Sequence, residues 1–236
     1  MVSKFKTFSP VFDRILGGGF PRSCLALFED SPLGLSWDLA MRILCDGLRE
    51  GEVGIYLTFD HSPSLVRSLS KSVDIDTDEY EKSGRFFIVN GSRFAEEEKD
   101  YTLRDPSNEG ELTNIFATLR DSVSNAMSNR CRCLVDSSIS LFFVYGIEKL
   151  IRFALLMREI SIKLGITTVI LSPVSIGTRV NHLLGYNSDV VIEFKVIESH
   201  EQLINRMRIR KMFGQTPSSP WVTFSATPSN LSIQEE

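Results

Sequence analysis

Apolar residues recur along this chain in two periods, and their alternation sets the expected architecture. Short apolar or β-branched runs read as buried strands: Cys24–Glu29, Val53–Phe59, Arg85–Asn90, Cys131–Asp136 and Ile166–Leu171. Between them, apolar residues fall at helical spacing. Ala40, Ile43, Leu44 and Leu48 share one helix face. So do Leu112, Ile115, Phe116, Leu119, Val123 and Met127, in a helix expected from about Gly110 to Ser128. Another helix is expected from Pro63 to about Ser72. A further one spans Gly146–Leu164, with Ile147, Leu150, Ile151, Ala154 and Leu155 facing inward and Gly165 as its stop. Strands separated by helices predict a mostly parallel sheet covered on both faces. The tail differs. Asp189–Glu198, Asn205–Phe213 and Trp221–Ile233 alternate apolar and polar, which predicts antiparallel strands added to the sheet edge. Gly91–Glu109 reads as a polar loop, with EEEKD at 96–100 as solvated charge, and Ser172–Ser188 as an ordinary loop.

Composition narrows the class. A chain of 236 residues is one large domain or two small ones, long enough to bury about 70% of its unfolded surface. Apolar content of 42% and charged content of 24% are those of a soluble globular chain. The formal net charge of −4 argues against a broad nucleic-acid footprint. No apolar run is long enough to span a membrane, and the opening MVSKFKTFSPVF has no signal-peptide core, so a cytoplasmic location is expected. Cys131 and Cys133, two apart in a strand, point to one face. With Cys24 and Cys45 they read as small buried apolar residues, and no metal site is expected.

The candidate chemistry lies in Phe12–Leu48: a glycine turn, a strand, a tight loop and an amphipathic helix, the context of a phosphate-binding P-loop. The eight positions of a G-x-x-x-x-G-K-[ST] loop are Asp30, Ser31, Pro32, Leu33, Gly34, Leu35, Ser36 and Trp37. Asp30 and Leu35 replace the glycines that let backbone wrap a phosphate. Ser36 replaces the phosphate-binding lysine, and Trp37 the hydroxyl that ligates Mg²⁺. Losing a lysine at ~5 Å forfeits roughly 3 kcal/mol at an effective dielectric of about 20. An inward Asp30 adds repulsion of similar size, so nucleotide affinity should fall by about three to four orders of magnitude. Leu35 would add about 1–2 kcal/mol if its position is left-handed. Lys6, Arg22 and Arg42 are too far along the chain to repair the loop. Ser36 is a candidate N-cap for a helix starting at Trp37, and Asp38 suits its positive end. Internal polar groups are thus expected to replace the anion.

The stretch FDRILGGGFPR followed by a strand resembles the LD-x-I-L-G-G-G-h-P-x-G-S opening of KaiC-like and RadA-like proteins of the RecA superfamily, with Ser23 where that family has glycine. The resemblance implies an α/β fold: a RecA-like three-layer αβα sandwich with C-terminal antiparallel edge strands. It implies one domain over residues 1–236, with a lead-in at 1–23 and a β-strand region at 189–236. Asp60 and His61 stand where the family has two glutamates, one of which positions the attacking water. A carboxylate at a strand tip also caps helices, and Pro63 favours that reading of Asp60. Cys131–Asp136 resembles the Walker B strand, which makes Asp136 either a Mg²⁺-shell residue or a strand-end hydrogen-bonding group. Lys211 matches the family lysine that reaches a neighbouring subunit's nucleotide, while Phe213 replaces the arginine two residues on. Ser172–Ser188 corresponds to a channel-facing loop, but Arg179 and His182 lack the basic and aromatic interleaving of single-strand binders.

The expectation is a catalytically inactive pseudo-ATPase without a cofactor, acting as an interaction or regulatory subunit. Its partner would be an active RecA/KaiC-like ATPase or a second copy. Two alternatives stay open: a weak ATP/Mg-binding ATPase or nucleotide sensor completed by a neighbour, and a RadA-paralogue-like accessory in DNA recombination or repair. Strong DNA binding is not expected.

Overall fold

The computed structural model describes residues 3–31, 34–92, 101–121, 130–199, 202–214, 220–227 and 230–234. Pro32, Leu33, the EEEKD run, Val123 and Met127 lie outside them. A lead-in pairs β1 (Lys4–Phe5) with β2 (Phe20–Pro21) across α1 (Pro10–Ile15). α1 starts at Pro10 because Ser9 Oγ accepts the Phe12 N–H and proline needs no amide partner there. Strand and helix then alternate: β3 (Leu25–Asp30), α2 (Ser36–Arg49), β4 (Val53–Thr58), α3 (Pro63–Ser72), a short α4 (Asp78–Lys82), β5 (Phe86–Asn90) and β6 (Tyr101–Thr102). α5 (Glu109–Asp121), β7 (Cys131–Asp136), α6 (Ser138–Leu164), β8 (Ile166–Pro173) and α7 (Thr178–Asn187) follow. The tail is β9 (Val190–Ser199), β10 (Gln202–Met212), β11 (Val222–Thr227) and β12 (Asn230–Gln234).

All but the lead-in strands form one sheet in the order β12-β11-β10-β9-β3-β8-β7-β4-β5-β6. Pairing is parallel from β9 through β6 and antiparallel from β9 out to β12, as the alternating tail predicted. Side chains on successive strand residues enter opposite cores. Phe28, Tyr56 and Leu134 meet α2 through Leu39, Ala40, Ile43, Leu44 and Leu48. Leu27, Ile55, Val135 and Ile170 meet α5 and α6 on the other side, with Cys131 and Cys133 among them. The result is the expected RecA-like sandwich. Register then places the functional end: Asp30 pairs with Pro173 and Thr58 with Asp136, so β3, β8, β4 and β7 finish together.

Arg132 ties the lead-in to this frame. Its guanidinium, 2% exposed, donates to Glu52 Oε2 at 2.7 Å, the Ile43 carbonyl at 2.7 Å and Glu50 Oε2 at 3.2 Å, and stacks 3.9 Å from the Phe5 ring. Arg22 takes the other Glu52 oxygen at 2.9 Å. Burial pushes the Glu52 carboxyl up, but the hydrogen bonds and charges of Arg132 and Arg22 bring it below its ordinary value.

Two expectations need correction. Ser172–Ser188 is not a plain loop: after the Val174–Ile176 turn it forms α7, which buries Val180, Asn181 and Leu184. Only two apolar rungs follow the turn residues SPVSIG, too few to show the period. In α6, Leu155 is 48% exposed rather than inward, whereas Phe153, Met157 and Ile160 are buried. The helix begins earlier, at Ser138, and its backbone leaves helical geometry at Gly146 (φ 82°, ψ 170°). Beyond that break the buried stripe runs through Leu150, Phe153, Ala154, Met157 and Ile160, and Leu155, one residue past Ala154, lies about 100° off it. Gly165 ends it in the left-handed conformation (φ 72°), as expected.

Candidate functional site

Asp30 ends β3 with its carboxylate turned toward the start of α2, where Oδ2 accepts the Ser36 N–H at 2.8 Å. It is 7% exposed, and Oδ1 has no hydrogen-bond partner among the described residues. Gly34 lies so close above the carboxylate that a side chain there would collide with it. Burial pushes the Asp30 carboxyl up, and hydrogen bonds from Ser36 and Ser31 offset part of that.

This corrects the reading of the helix start. Ser36 is the first residue of α2 rather than its cap, and Leu35 in the cap position makes no side-chain cap bond. Leu35 has φ −107° and ψ 23°, outside the left-handed region, so it carries no such penalty. The capping acceptor is instead the carboxylate of Asp30, from the strand before the loop. Asp38, in the first turn, pairs with Arg42 Nε at 2.5 Å.

Beyond the loop, a hydrogen-bonded chain crosses the strand ends. Trp37 Nε1–H donates to Tyr56 Oη at 2.8 Å, and the Tyr56 hydroxyl donates to Asp136 Oδ2 at 2.5 Å. His61 Nδ1 lies 3.1 Å from the same oxygen. Burial, then the Asp136 charge and hydrogen bond, hold the Tyr56 phenol well above its ordinary range. The Asp136 hydrogen bond raises the His61 imidazole despite partial burial. Asp60 is the second correction: it does not cap α3, because Ser62 does, with Oγ accepting the Leu65 N–H. Asp60 Oδ2 instead accepts from Ser137 Oγ at 2.6 Å, and Oδ1 from Ser140 Oγ. Thr58 Oγ1 accepts the His61 N–H and donates to the His61 carbonyl, both at 2.9 Å, which fixes the turn carrying His61. The Asp136–Ser137 peptide is cis.

These groups line a cleft of about 480 Å³ together with Ser31, Ser172 and Pro173. Asp30, Ser36, Trp37, Asp60, His61 and Asp136 are therefore brought together, and no lysine or arginine among the described residues lines the cleft. Lys211 is elsewhere. Its ammonium donates to the carbonyls of Gly185, Tyr186 and Ser188 at 3.0, 2.9 and 2.5 Å, closing the C-terminal end of α7. Burial lowers its pKa. It borders a separate hollow of about 300 Å³ with Glu29 and Arg210, which pair at 3.1 Å. Arg179 and His182 lie exposed on α7. Tyr56 was missed from sequence; its signal was a polar-tipped aromatic within the otherwise apolar run VGIYLTF.

Residues 5–236 match the family described as "ATPase: KaiC", which spans all but the first few residues. The chain belongs to the KaiC ATPase family. Relatives of this KaiC-family chain include a UPF0273 protein of Aeropyrum pernix, 28% identical over 99% of this chain and 94% of that protein. Another, from Thermotoga maritima, is 27% identical over 99% and 96% of the two chains. Among solved structures, the KaiC-like protein PH0186 of Pyrococcus horikoshii superposes with a TM-score of 0.81 over the full length of both chains, at 20% identity. That likeness shows the shared fold. No described helix is long and apolar enough to cross a membrane.

Proposed function

We propose that this KaiC-family protein is a pseudo-ATPase, a subunit that neither binds nor hydrolyses nucleotide and works by pairing with another protein. Its partner is an active KaiC-like ATPase or a second copy of the chain. The observation that carries the reading is the Asp30 carboxylate on the Ser36 N–H. That amide opens α2 at the positive end of the helix, where a P-loop receives phosphate. An internal carboxylate already takes the donor and would repel an incoming phosphate.

The residues present do not fit a magnesium nucleotide. Position 36 offers a serine in place of a lysine, and position 37 an indole committed to Tyr56. Asp136 Oδ2 already faces Tyr56 and His61, and both Asp60 oxygens are held by serine hydroxyls. A cleft of this composition offers phosphate no lysine or arginine among the described residues, and its one basic group, His61, already faces Asp136. The pairing role is supported by exposed side chains of the kind that interfaces cover: Phe143 at 72%, Tyr186 at 83% and Phe213 at 66%.

A second reading, a weak nucleotide sensor, is favoured by the size of the cleft and by Asp136 at its floor. Calorimetry with ATP and Mg²⁺ separates the two. The pseudo-ATPase reading expects no heat of binding; a dissociation constant near ~1 μM, about −8 kcal/mol, would overturn it. Sedimentation of the purified chain, alone and mixed with a KaiC-like ATPase from the same cell, tests the pairing role.

A further inference from the structure

β10 carries a cationic row. Its sequence RMRIR sends Met207 and Ile209 into the core shared with α2, so Arg206, Arg208 and Arg210 face the other side of the sheet. Arg208 and Arg210 reach the same Glu193 oxygen, at 2.6 and 3.7 Å, which places both on that side. Lys195 of β9, in register with Arg206, joins them: its ammonium lies 3.7 Å over the Trp221 ring, and the Arg208 guanidinium 4.5 Å from that ring. Among the described residues, the core shared with α5 and α6 ends at Val191 and takes no buried residue from β10, β11 or β12. This side of the C-terminal strands is therefore a charged sheet face without an apolar layer over it. Glu193 and Glu29 are the carboxylates paired with the row, so four cations meet two acids there, in a chain of formal net charge −4.

The opposite pattern occurs on the far flank of the same chain. Between α3 and α4 the sequence DIDTDE buries Ile75 and Thr77, which leaves Asp74, Asp76 and Asp78 outward on alternate positions, with Glu79 exposed beside them. Lys71 is the cation paired with this row, 2.7 Å from Asp78 and 4.0 Å from Asp76, so carboxylates are in excess. The turn leads into β5, six strand spacings from β10 in the sheet order, or about 28 Å. Ile75 seats it on the core shared with α2, the face turned away from the arginine row. One chain cannot join its own two rows.

We infer that the face carrying Lys195, Arg206 and Arg208 docks a second copy of this chain, whose Asp74–Glu79 turn lies across it. The inference rests on the pairing role proposed above and requires nothing of the nucleotide site. Charge complementarity selects the occupant. Guanidinium groups bind carboxylates strongly, as Glu193 and Glu29 already show on this face. Acids and bases both repeat at every second residue, so several pairs can form at once. A nucleic-acid strand fits less well, because the Trp221 ring that a base would stack on is taken by Lys195 and Arg208. With the rows on opposite flanks, copies join head to tail, and each joined copy keeps one row open for another. Single exposed ion pairs are weak, so the contact depends on several acting together and on low ionic strength.

Sedimentation velocity of the full chain tests this. At an ionic strength of about 0.01 M the chain should self-associate with a dissociation constant at or below about 100 μM. Raising the ionic strength to about 1 M shortens the screening length from roughly 30 to roughly 3 Å and should weaken association at least ~10-fold. Two charge reversals are compared, each checked for an unchanged melting temperature: Lys195→Glu with Arg206→Glu, and Asp76→Lys with Glu79→Lys. Each variant alone should sediment as a monomer. An equimolar mixture should associate again, because every row then finds the opposite charge on the other variant. If a reversed chain folds poorly, Arg206→Gln and Glu79→Gln take its place, each expected to weaken association about 3-fold. A parent chain that stays monomeric at low salt overturns the inference, as does self-association that either salt or the reversals leave unchanged. Loss in each variant without recovery in the mixture also overturns it. Binding of an oligo(dT) strand by a chain that does not self-associate assigns the face to nucleic acid instead. A KaiC-like ATPase from the same cell is run in parallel. A chain that is monomeric alone but joins that ATPase loses the second-copy contact and keeps the pairing role, whereas a chain that joins neither loses both.

Discussion

Restoring the consensus loop should destabilise the protein before it restores any nucleotide site. The perturbation is Asp30→Gly, Leu35→Gly, Ser36→Lys and Trp37→Thr in one chain. Asp30→Gly removes the acceptor of the Ser36 N–H, a cap-like loss of about 1 kcal/mol. Trp37 is half-buried against the first core and donates to Tyr56. Full burial would make its truncation cost about 3–5 kcal/mol, so about 2 kcal/mol is expected at half burial. The lost Tyr56 hydrogen bond adds roughly 1 kcal/mol. Leu35→Gly is near neutral, because glycine is favoured over leucine at a helix N-cap, and Ser36→Lys forces an ammonium into a position now 5% exposed. The total, about 4 kcal/mol before the lysine is counted, is a large fraction of an ordinary stability of about 5–15 kcal/mol. At roughly 2–4 °C per kcal/mol for a chain of this length, the melting temperature should drop by about 8–16 °C. Differential scanning calorimetry without ligand reads this directly. Adding ATP and Mg²⁺ should then recover part of the loss by mass action if the frame is sound. A quadruple variant that melts no lower than the parent would refute the claim that Asp30 and Trp37 hold the loop in place.

Three other outcomes are expected. Arg132→Ala should cost about 3 kcal/mol in denaturant unfolding, because it leaves the buried Glu52 carboxylate with Arg22 alone, and adding Glu52→Gln should recover part of that. The His61 pKa is raised in the fold by its Asp136 hydrogen bond, so the stability it contributes is complete below the ordinary histidine value near ~6.5 and is lost as pH rises through the higher folded value. Unfolding measured across that window should therefore lose a falling segment in His61→Asn; an unchanged profile would refute the contact. All four cysteines are buried, with burial pushing the Cys45 thiol up to about 12, so a thiol reagent should label them slowly in the native protein and fully after unfolding.

The fold was legible because its signal is repeated along the chain. Each parallel strand is an apolar run two faces deep, and each long helix carries a stripe that only one sheet face can bury. α7 escaped because Val180 and Leu184 are just two rungs, and Leu155 was misplaced because it sits one residue past Ala154, off the stripe that Phe153, Met157 and Ile160 continue. At the site, strand–loop–helix order put Asp30, Ser36 and Trp37 in one neighbourhood, and the resemblance of Cys131–Asp136 to a Walker B strand added Asp136 to it. What it could not give was direction. Asp30 reaches across the loop to cap α2, and Ser36 yields that role. Asp60 turns to Ser137 and Ser140 instead of to α3. Local rules chose the nearest helix end; tertiary contacts chose otherwise. Arg132 was invisible for the same reason, since its partners Ile43, Glu50 and Glu52 are local to one another but some eighty residues away from it.

A cleft built for a ligand must be held open by something when that ligand is absent. In this chain each site element has acquired a protein partner. The Ser36 amide has Asp30, Asp136 has Tyr56 and His61, and Asp60 has two serine hydroxyls. Trp37 joins the helix start to the β7 end through Tyr56, so the two sides of the cleft are linked by hydrogen bonds without any bound group. Such links lower the free energy of the empty state. Under the pseudo-ATPase reading, nucleotide would have to break them before making contacts of its own, an added cost to its affinity. Random decay of the motif would leave orphaned donors and acceptors scattered around the loop. Instead, most polar side chains around the loop are paired, Asp30, Asp60, Asp136 and Trp37 among them.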